Sequence, residues 1–256
     1  MRGWAWALWM ALLAGCGSLA VEDGTQPVGT GQAVSRGGAS KALAQRLLQT
    51  PASVPWEPFV LPGKTFVPFE VAEVDGRPAL QVQAQASVSI LRQRFDVPLQ
   101  HLGAMKFSWR VDGLPLDARL SEADREDAPV RILLAFDGDK SRWSARQHRL
   151  SEMSRLLTGE PLPYATLMYV WSPHDAADTV VVNPRSDRVR KLVVETGDAR
   201  VGQWVDYRRD VRADFIRVFG EEPGPLLAVA LMTDTDNTRS QLTAWYGALR
   251  LESPLP

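Results

Sequence analysis

Val130-Arg131-Ile132-Leu133-Leu134-Ala135-Phe136, closed by Asp137-Gly138, is the stretch whose reading decides the fold. It is short, apolar at every place but one, and stopped by a turn dipeptide, as a half-buried or buried β-strand should be. Similar segments lie on both sides of it: Ala79–Ala86, Val88–Phe95, Ala104–Val111, Thr166–Trp171, Lys191–Thr196, Leu226–Thr233 and Leu242–Leu251. Asp75-Gly76 and Asp112-Gly113 punctuate them as Asp137-Gly138 does. Most are spaced too closely for strand–helix–strand crossovers, so the pattern predicts a mainly β protein, an antiparallel β-sandwich of jelly-roll type. Trp109, with Phe107 and Val111 on the same strand face, reads as a core residue.

Two insertions break the period of two. Ser144–Leu157 places Leu150, Met153 and Leu157 at helical spacing before Gly159, a face suited to packing on the sheet. Asp210–Phe219 starts on a capping residue, carries Val211, Phe215 and Val218, and stops at Gly220. No repeat of fixed period and no further boundary interrupts residues 51–256, which read as one domain.

Upstream the chain changes character. Arg2 precedes the uncharged apolar stretch from Trp4 to Leu13, too short to span a bilayer, which needs roughly 20 residues. Leu13-Ala14-Gly15-Cys16 follows and resembles the bacterial lipobox, in which a cysteine at the cleavage boundary receives a diacylglyceryl group. That resemblance implies loss of residues 1–15 as a lipoprotein signal peptide and membrane attachment through Cys16. Gly17 rather than Asp after the cysteine favours the outer membrane over the inner. Residues 16–50 then read as a Gly-, Ser- and Gln-rich flexible tether ending in a short helix, Lys41–Gln49.

Composition narrows the partners. The 29 Lys+Arg and 30 Asp+Glu nearly cancel, which removes the electrostatic case for nucleic acid. A single cysteine excludes an intramolecular disulfide framework and a Cys-based zinc cluster. His101, His148 and His174 lie far apart, so a His-rich metal site is not expected. No nucleophile elbow, zinc-protease motif or phosphate loop is present.

The run Phe107-Ser108-Trp109-Arg110-Val111-Asp112, then Glu126-Asp127 before Val130–Gly138, resembles the front half of the bacterial family DUF3047, proteins of unknown function. The back half carries Leu162-Pro163-Tyr164, Tyr169-Val170-Trp171, Asn183-Pro184, Gln203-Trp204 and Met232-Thr233-Asp234-Thr235-Asp236-Asn237-Thr238, closing on Ala244-Trp245-Tyr246-Gly247. The similarity spans about residues 56 to 252. It implies a secreted or envelope β-sandwich similar to galactose-binding jelly rolls, and it implies no reaction. The family's usual Asp-Asp stands here as Glu126-Asp127, and the glycine often found after its Asp-Asn-Thr run is Arg239.

Arg131 is the odd residue of the deciding strand. Facing inward, it needs a charged partner, with Asp127, Glu195, Asp234 and Asp236 as candidates; the plainer alternatives to a ligand site are an edge strand with Arg131 in water or a structural ion pair. Asp234-Thr235-Asp236-Asn237 at a strand end offers oxygen ligands for calcium, while a turn whose Asp and Asn side chains satisfy backbone amides is the plainer alternative. Arg131, Trp171, Asn183, Asp236 and Asn237 together form an aromatic-plus-amide inventory suited to a sugar. Tyr169, Trp245 and Tyr246 are further aromatic candidates. The leading expectation is therefore a non-catalytic glycan-binding envelope lipoprotein without a cofactor. A polysaccharide hydrolase or lyase using Glu195 with Asp234 or Asp236 is the enzymatic alternative. A structural or assembly lipoprotein with a protein partner is the third.

Overall fold

The computed structural model describes residues 47–49 and 55–252. The leader, Cys16 and most of the expected 41–49 helix lie outside them. Leu47 and Leu48, which the sequence assigns to that helix, are buried in the sandwich, and Leu48–Gln49 forms a short strand, β1.

Two seven-stranded sheets carry the fold. The first contains β1, β3 (Glu70–Val74), β4 (Arg77–Gln85), β6 (Ala104–Val111), β11 (Val205–Asp210), β13 (Gln241–Tyr246) and β14 (Leu249–Leu251). The second runs in the order β2 (Glu57–Pro58), β5 (Val88–Val97), β12 (Leu226–Asp234), β7 (Ala128–Phe136), β8 (Ala165–Ser172), β10 (Ser186–Thr196) and β9 (Val180–Asn183). The chain changes sheet repeatedly, at β4–β5, β5–β6, β6–β7, β10–β11, β11–β12 and β12–β13, as a jelly roll does. The mainly β sandwich with two helices is thus the observed fold.

Alternation along each strand builds the core between the sheets. Val130, Ile132, Leu134 and Phe136 of β7 meet Phe107, Trp109 and Val111 of β6 across it. Phe107 stacks on Tyr169 at 5.6 Å and packs obliquely on Trp109 at 5.0 Å. The strand expected over Leu242–Leu251 is two, β13 and β14, joined through Gly247. A Cβ at Gly247 would stand 2.2 Å from the Ser108 Oγ, so only glycine lets the backbone pass β6 there.

Two pairings depart from the antiparallel rule, the short β1–β14 contact and one made by β10. β10 inserts between β8 and β9, antiparallel to β9 and parallel to β8, because residues 173–179 carry the chain past that place before the hairpin returns. Strands β3 and β11 have no clear hydrophobic signal and are edge strands with charged, exposed side chains; β9, also at an edge, is a run of three valines too short to stand out.

Helix α1 (Ala145–Thr158) begins with a capping box between Ser144 and Gln147 and ends at Gly159, whose φ is 80°. It lies on the outer side of the second sheet, where Leu150, Met153 and Leu157 pack against a second apolar cluster that includes Leu61, Leu120, Leu133 and Met168. Helix α2 (Val211–Phe219), capped by Asp210, is tied into the inter-sheet core by Phe215, 4.7 Å from Phe136. The second sheet therefore carries an extra layer on its outer side, made by α1 and the segments around residues 61 and 120.

Candidate functional site

Among the described residues, no such layer lies on the outer face of the first sheet. Leu80, Val82 and Ala84 of β4 enter the core, so Gln81, Gln83 and Gln85 point the other way. On β13, Tyr246 enters the core while Thr243 and Trp245 point out. Register then sets Glu70, Gln81, Trp245 and Arg110 directly opposite one another across β3, β4, β13 and β6. At about 4.8 Å per strand, this line is about 14 Å long. Beside it, Gln83 faces Thr243 and Gln85 faces Gln241.

The line is held in place by its own bonds. The Trp245 indole Nε1 donates to Gln81 Oε1 at 2.8 Å. The Arg110 guanidinium stands 5.6 Å from the Trp245 ring centroid and pairs with Asp75. A second indole, Trp204, lies on the same face against Gly247 and donates to the Val74 carbonyl at 3.1 Å. Arg77 covers it at 5.6 Å and is held by both oxygens of Asp206 at 3.0 Å. The result is a partly exposed surface of indole, guanidinium and uncharged amide groups.

The charged residues singled out from sequence gather elsewhere, on the outer side of the second sheet and under its extra layer. Arg131 points away from the inter-sheet core, yet it is fully buried. Its guanidinium lies 3.2 Å from the Asp234 carboxylate and donates to the Glu126 carbonyl. Lys191 is equally buried; its Nζ meets Glu126 Oε1 and the Leu120 carbonyl, each at 2.7 Å. Arg185 also reaches Glu126, at 3.4 Å, and Lys64 pairs with Asp236. Four acids (Glu126, Asp127, Asp234 and Asp236) thus face four bases, which is how buried charge is tolerated. Desolvation raises Asp234 well above the usual carboxylate range against the pull of Arg131, and it lowers Lys191 to about 8.

Oxygens of Asp127, Asp234 and Asp236 lie within 4.8 Å of one another, close enough to share a cation. Asp127 is already engaged, however. It accepts from the backbone N–H of Asn237 at 3.3 Å and of Thr238 at 2.8 Å, and from both side chains at 3.0 and 2.6 Å. These bonds shape the 235–240 turn, in which Arg239 holds φ 53°, a left-handed conformation that favours glycine. Lys64 and Arg131 stand on the other two acids, while both Asp234 carboxylate oxygens, Asp236 Oδ1 and Asn237 Oδ1 are buried without a hydrogen-bond partner.

The sugar inventory expected from sequence is divided by the fold. Arg131, Asp236 and Asn237 do come together. Trp171 does not join them: it is wholly buried in the inter-sheet core, with its Nε1 bonded to the Gly197 carbonyl at 2.9 Å, so it offers no stacking face. Asn183 is also buried; it donates to Glu126 at 2.8 Å and accepts from the N–H of Arg185 at 2.9 Å. Glu195 lies at the opposite side of β10, bonded by the Tyr207 hydroxyl of the first sheet and by the Thr196 N–H at 3.1 Å. Three strand spacings, about 14 Å, separate β10 from β12, so Glu195 cannot act with Asp234 across one bond. The residues not singled out for the site are Gln81, Gln83, Arg110 and Trp204; the alternation Gln81-Val82-Gln83-Ala84-Gln85 signals the first two, and the family-like motifs contain the last two.

Residues 54–250 match the family model described as "Protein of unknown function (DUF3047)". No curated protein matches the sequence. Among solved structures, the chain is similar to the family 11 carbohydrate-binding module of the cellulosomal cellulase Lic26A-Cel5E of Clostridium thermocellum, at 8% identity and TM-score 0.40, over 80% of this chain and 92% of that one. It is also similar to the xyloglucanase domain of NopAA, a type three effector from Sinorhizobium fredii, at 10% identity and TM-score 0.39, over 79% and 99%. A third is the non-crystalline-cellulose-specific carbohydrate-binding module CBM28, at 12% identity and TM-score 0.35, over 77% and 87%.

Proposed function

We propose that this chain, which belongs to the DUF3047 family of proteins of unknown function, is a non-catalytic glycan-binding module of the bacterial envelope, lipid-anchored at Cys16 in the outer membrane. The observation that carries the reading is the line Glu70, Gln81, Trp245, Arg110 on an uncovered sheet face, flanked by Gln83, Gln85, Gln241 and Thr243. A pyranose presents apolar C–H groups on its faces and hydroxyls at its rim. An indole takes the first, and amides and a guanidinium bond the second. A line about 14 Å long accommodates several sugar units side by side.

Binding rather than cleavage is supported by the placement of the acids. Asp234 is sealed from solvent and Glu195 lies on another face, so neither reaches a bound chain on the first sheet. A protein-docking role has less support: the exposed large hydrophobics among the described residues are Val60, Leu116, Leu156, Val182 and Ile216, scattered over five segments. The charge cluster is read as a structural lock that needs no calcium.

A glycan array followed by calorimetric titration tests the ligand. Trp245→Ala should weaken binding at least about tenfold and change stability by less than about 1 kcal/mol. An array without signal, or binding that survives the substitution intact, rejects the reading. The anchor is tested separately: Cys16→Ser should move the protein out of the membrane fraction, and unchanged fractionation and mass reject acylation.

A further inference from the structure

A cavity of about 290 Å³ lies between α1 and the outer face of the second sheet. That is the lower end of the range for small-molecule pockets, roughly 300–1,000 Å³. Its floor is built from small and apolar side chains: Ala135 and Leu133 on β7, Ala228 and Ala230 on β12. Leu150 of α1 and Leu162 close it from above. Larger residues at the three alanines would fill the gap; these leave it hollow.

Two further observations give the cavity a chemistry. Trp143, which lines it, is 9% exposed, and its indole N–H is buried without an acceptor. An orphaned buried donor is costly, and an acceptor oxygen on a ligand would relieve it. The lining also contains Arg92, Arg94, Lys140 and Arg188 but only one carboxylate, Glu160. Nearby acids are shared thinly. Glu57 and Glu160 each serve both Arg92 and Arg94, Glu221 serves both Arg142 and Arg188, and Lys140 has Asp137 at 3.9 Å. Five cations thus meet four carboxylates around the mouth.

We infer that this cavity binds a single-chain anionic amphiphile, with its hydrocarbon chain over the alanine floor and its carboxylate head among the cations beside Trp143. At ~30 Å³ for a group the size of a water molecule, the volume holds a chain of about ten such groups. The site is separate from the glycan face, on the other sheet, and does not depend on that reading.

Decanoate is the probe, titrated calorimetrically into the full chain below its micellar concentration, with decyltrimethylammonium as the control of opposite charge. Decanoate should bind saturably with one-to-one stoichiometry, at least about tenfold more tightly than the cationic analogue. The double variant Ala135→Leu, Ala230→Leu should fill the cavity and weaken decanoate at least about tenfold. Lys140→Gln, at a partly exposed side chain 5.4 Å from the Trp143 ring, should weaken it about fivefold and keeps the test decisive if the filled variant does not fold. Absence of saturable binding, equal affinity for both amphiphiles, or indifference of decanoate to the Lys140 change overturns the inference.

Discussion

The two sheets turn opposite kinds of surface away from their shared core. On the first, Gln81 and Gln83 of β4 and Thr243 and Trp245 of β13 point outward and are in reach of solvent. On the second, the outward residues of β7 and β12 include Arg131, Leu133, Met232 and Asp234, all buried. The same alternation rule places both sets. What differs is the layer laid over the second sheet by α1 and the segments around Leu61 and Leu120. Facing away from the core is therefore not the same as facing water. That is why Arg131 is neither part of the inter-sheet core nor solvated on an edge: it is the structural ion pair among its alternatives, made with Asp234 under the outer layer.

The sharpest way to break this contrast is to remove the charge at its centre. Arg131→Ala takes the guanidinium from Asp234 and leaves that carboxylate sealed without its partner, which should cost about 3–5 kcal/mol in denaturant unfolding. A loss under about 1 kcal/mol would mean that water reaches the cluster and that the second sheet is not sealed. The lock also has a pH signature. Burial, reinforced by Asp127 and Asp236 and opposed by Arg131, raises Asp234. The native state then keeps a proton at pH values where the unfolded chain, titrating near about 3.9, has released it. Stability contributed by this group should therefore decline as pH rises from about 4 through the folded value, and Asp234→Asn should flatten the decline. Melting temperatures across pH 4 to 8, compared between the two proteins, measure it; identical profiles would refute it.

A smaller effect is expected where the two sheets are tied together. Trp245 and Tyr246 are neighbours in sequence and part company in the fold, one to each side of β13. The Tyr246 hydroxyl crosses the core, donates to the Met232 carbonyl at 2.7 Å and lies 2.9 Å from Thr233 Oγ1. Burial holds it un-ionised. Tyr246→Phe leaves these groups short of a partner and should cost about 1–3 kcal/mol without touching glycan affinity. If binding fell instead and stability held, the assignment of faces on β13 would be inverted.

These residues also mark how far the sequence could be read. Strands with a strong apolar pattern, such as β7 and β12, and helices with capping and glycine stop signals were legible, because both signals are local. The lock was half legible. Asp234 was among the partners named for Arg131, and the family-like motifs contained Glu126, Asp127 and Asn183, but their meeting depends on strands paired across long separations. Trp171 misled because β alternation says which residues share a face and not which face is buried. The glycan face was hidden for the complementary reason: Gln81 and Arg110 are ordinary surface residues until register sets them beside Trp245.

The smallest expected change isolates that register. Gln83 is exposed on β4, opposite Thr243 and one outward step from Gln81. Gln83→Ala removes no core contact, so unfolding free energy should move by less than about 0.5 kcal/mol. It does remove a donor and an acceptor from the edge of the Trp245 line. One net hydrogen bond is worth about 1 kcal/mol, so affinity for the array-selected glycan should fall about fivefold. A matching change at Gln241, which faces Gln85 in the same lane, should add to it if the sugar chain runs along the strands. If the chain runs across them, over Glu70, Gln81 and Arg110, Gln241 should be silent. A double-mutant comparison of Gln83→Ala and Gln241→Ala thus reads the direction of the bound chain from two substitutions that leave the fold unchanged.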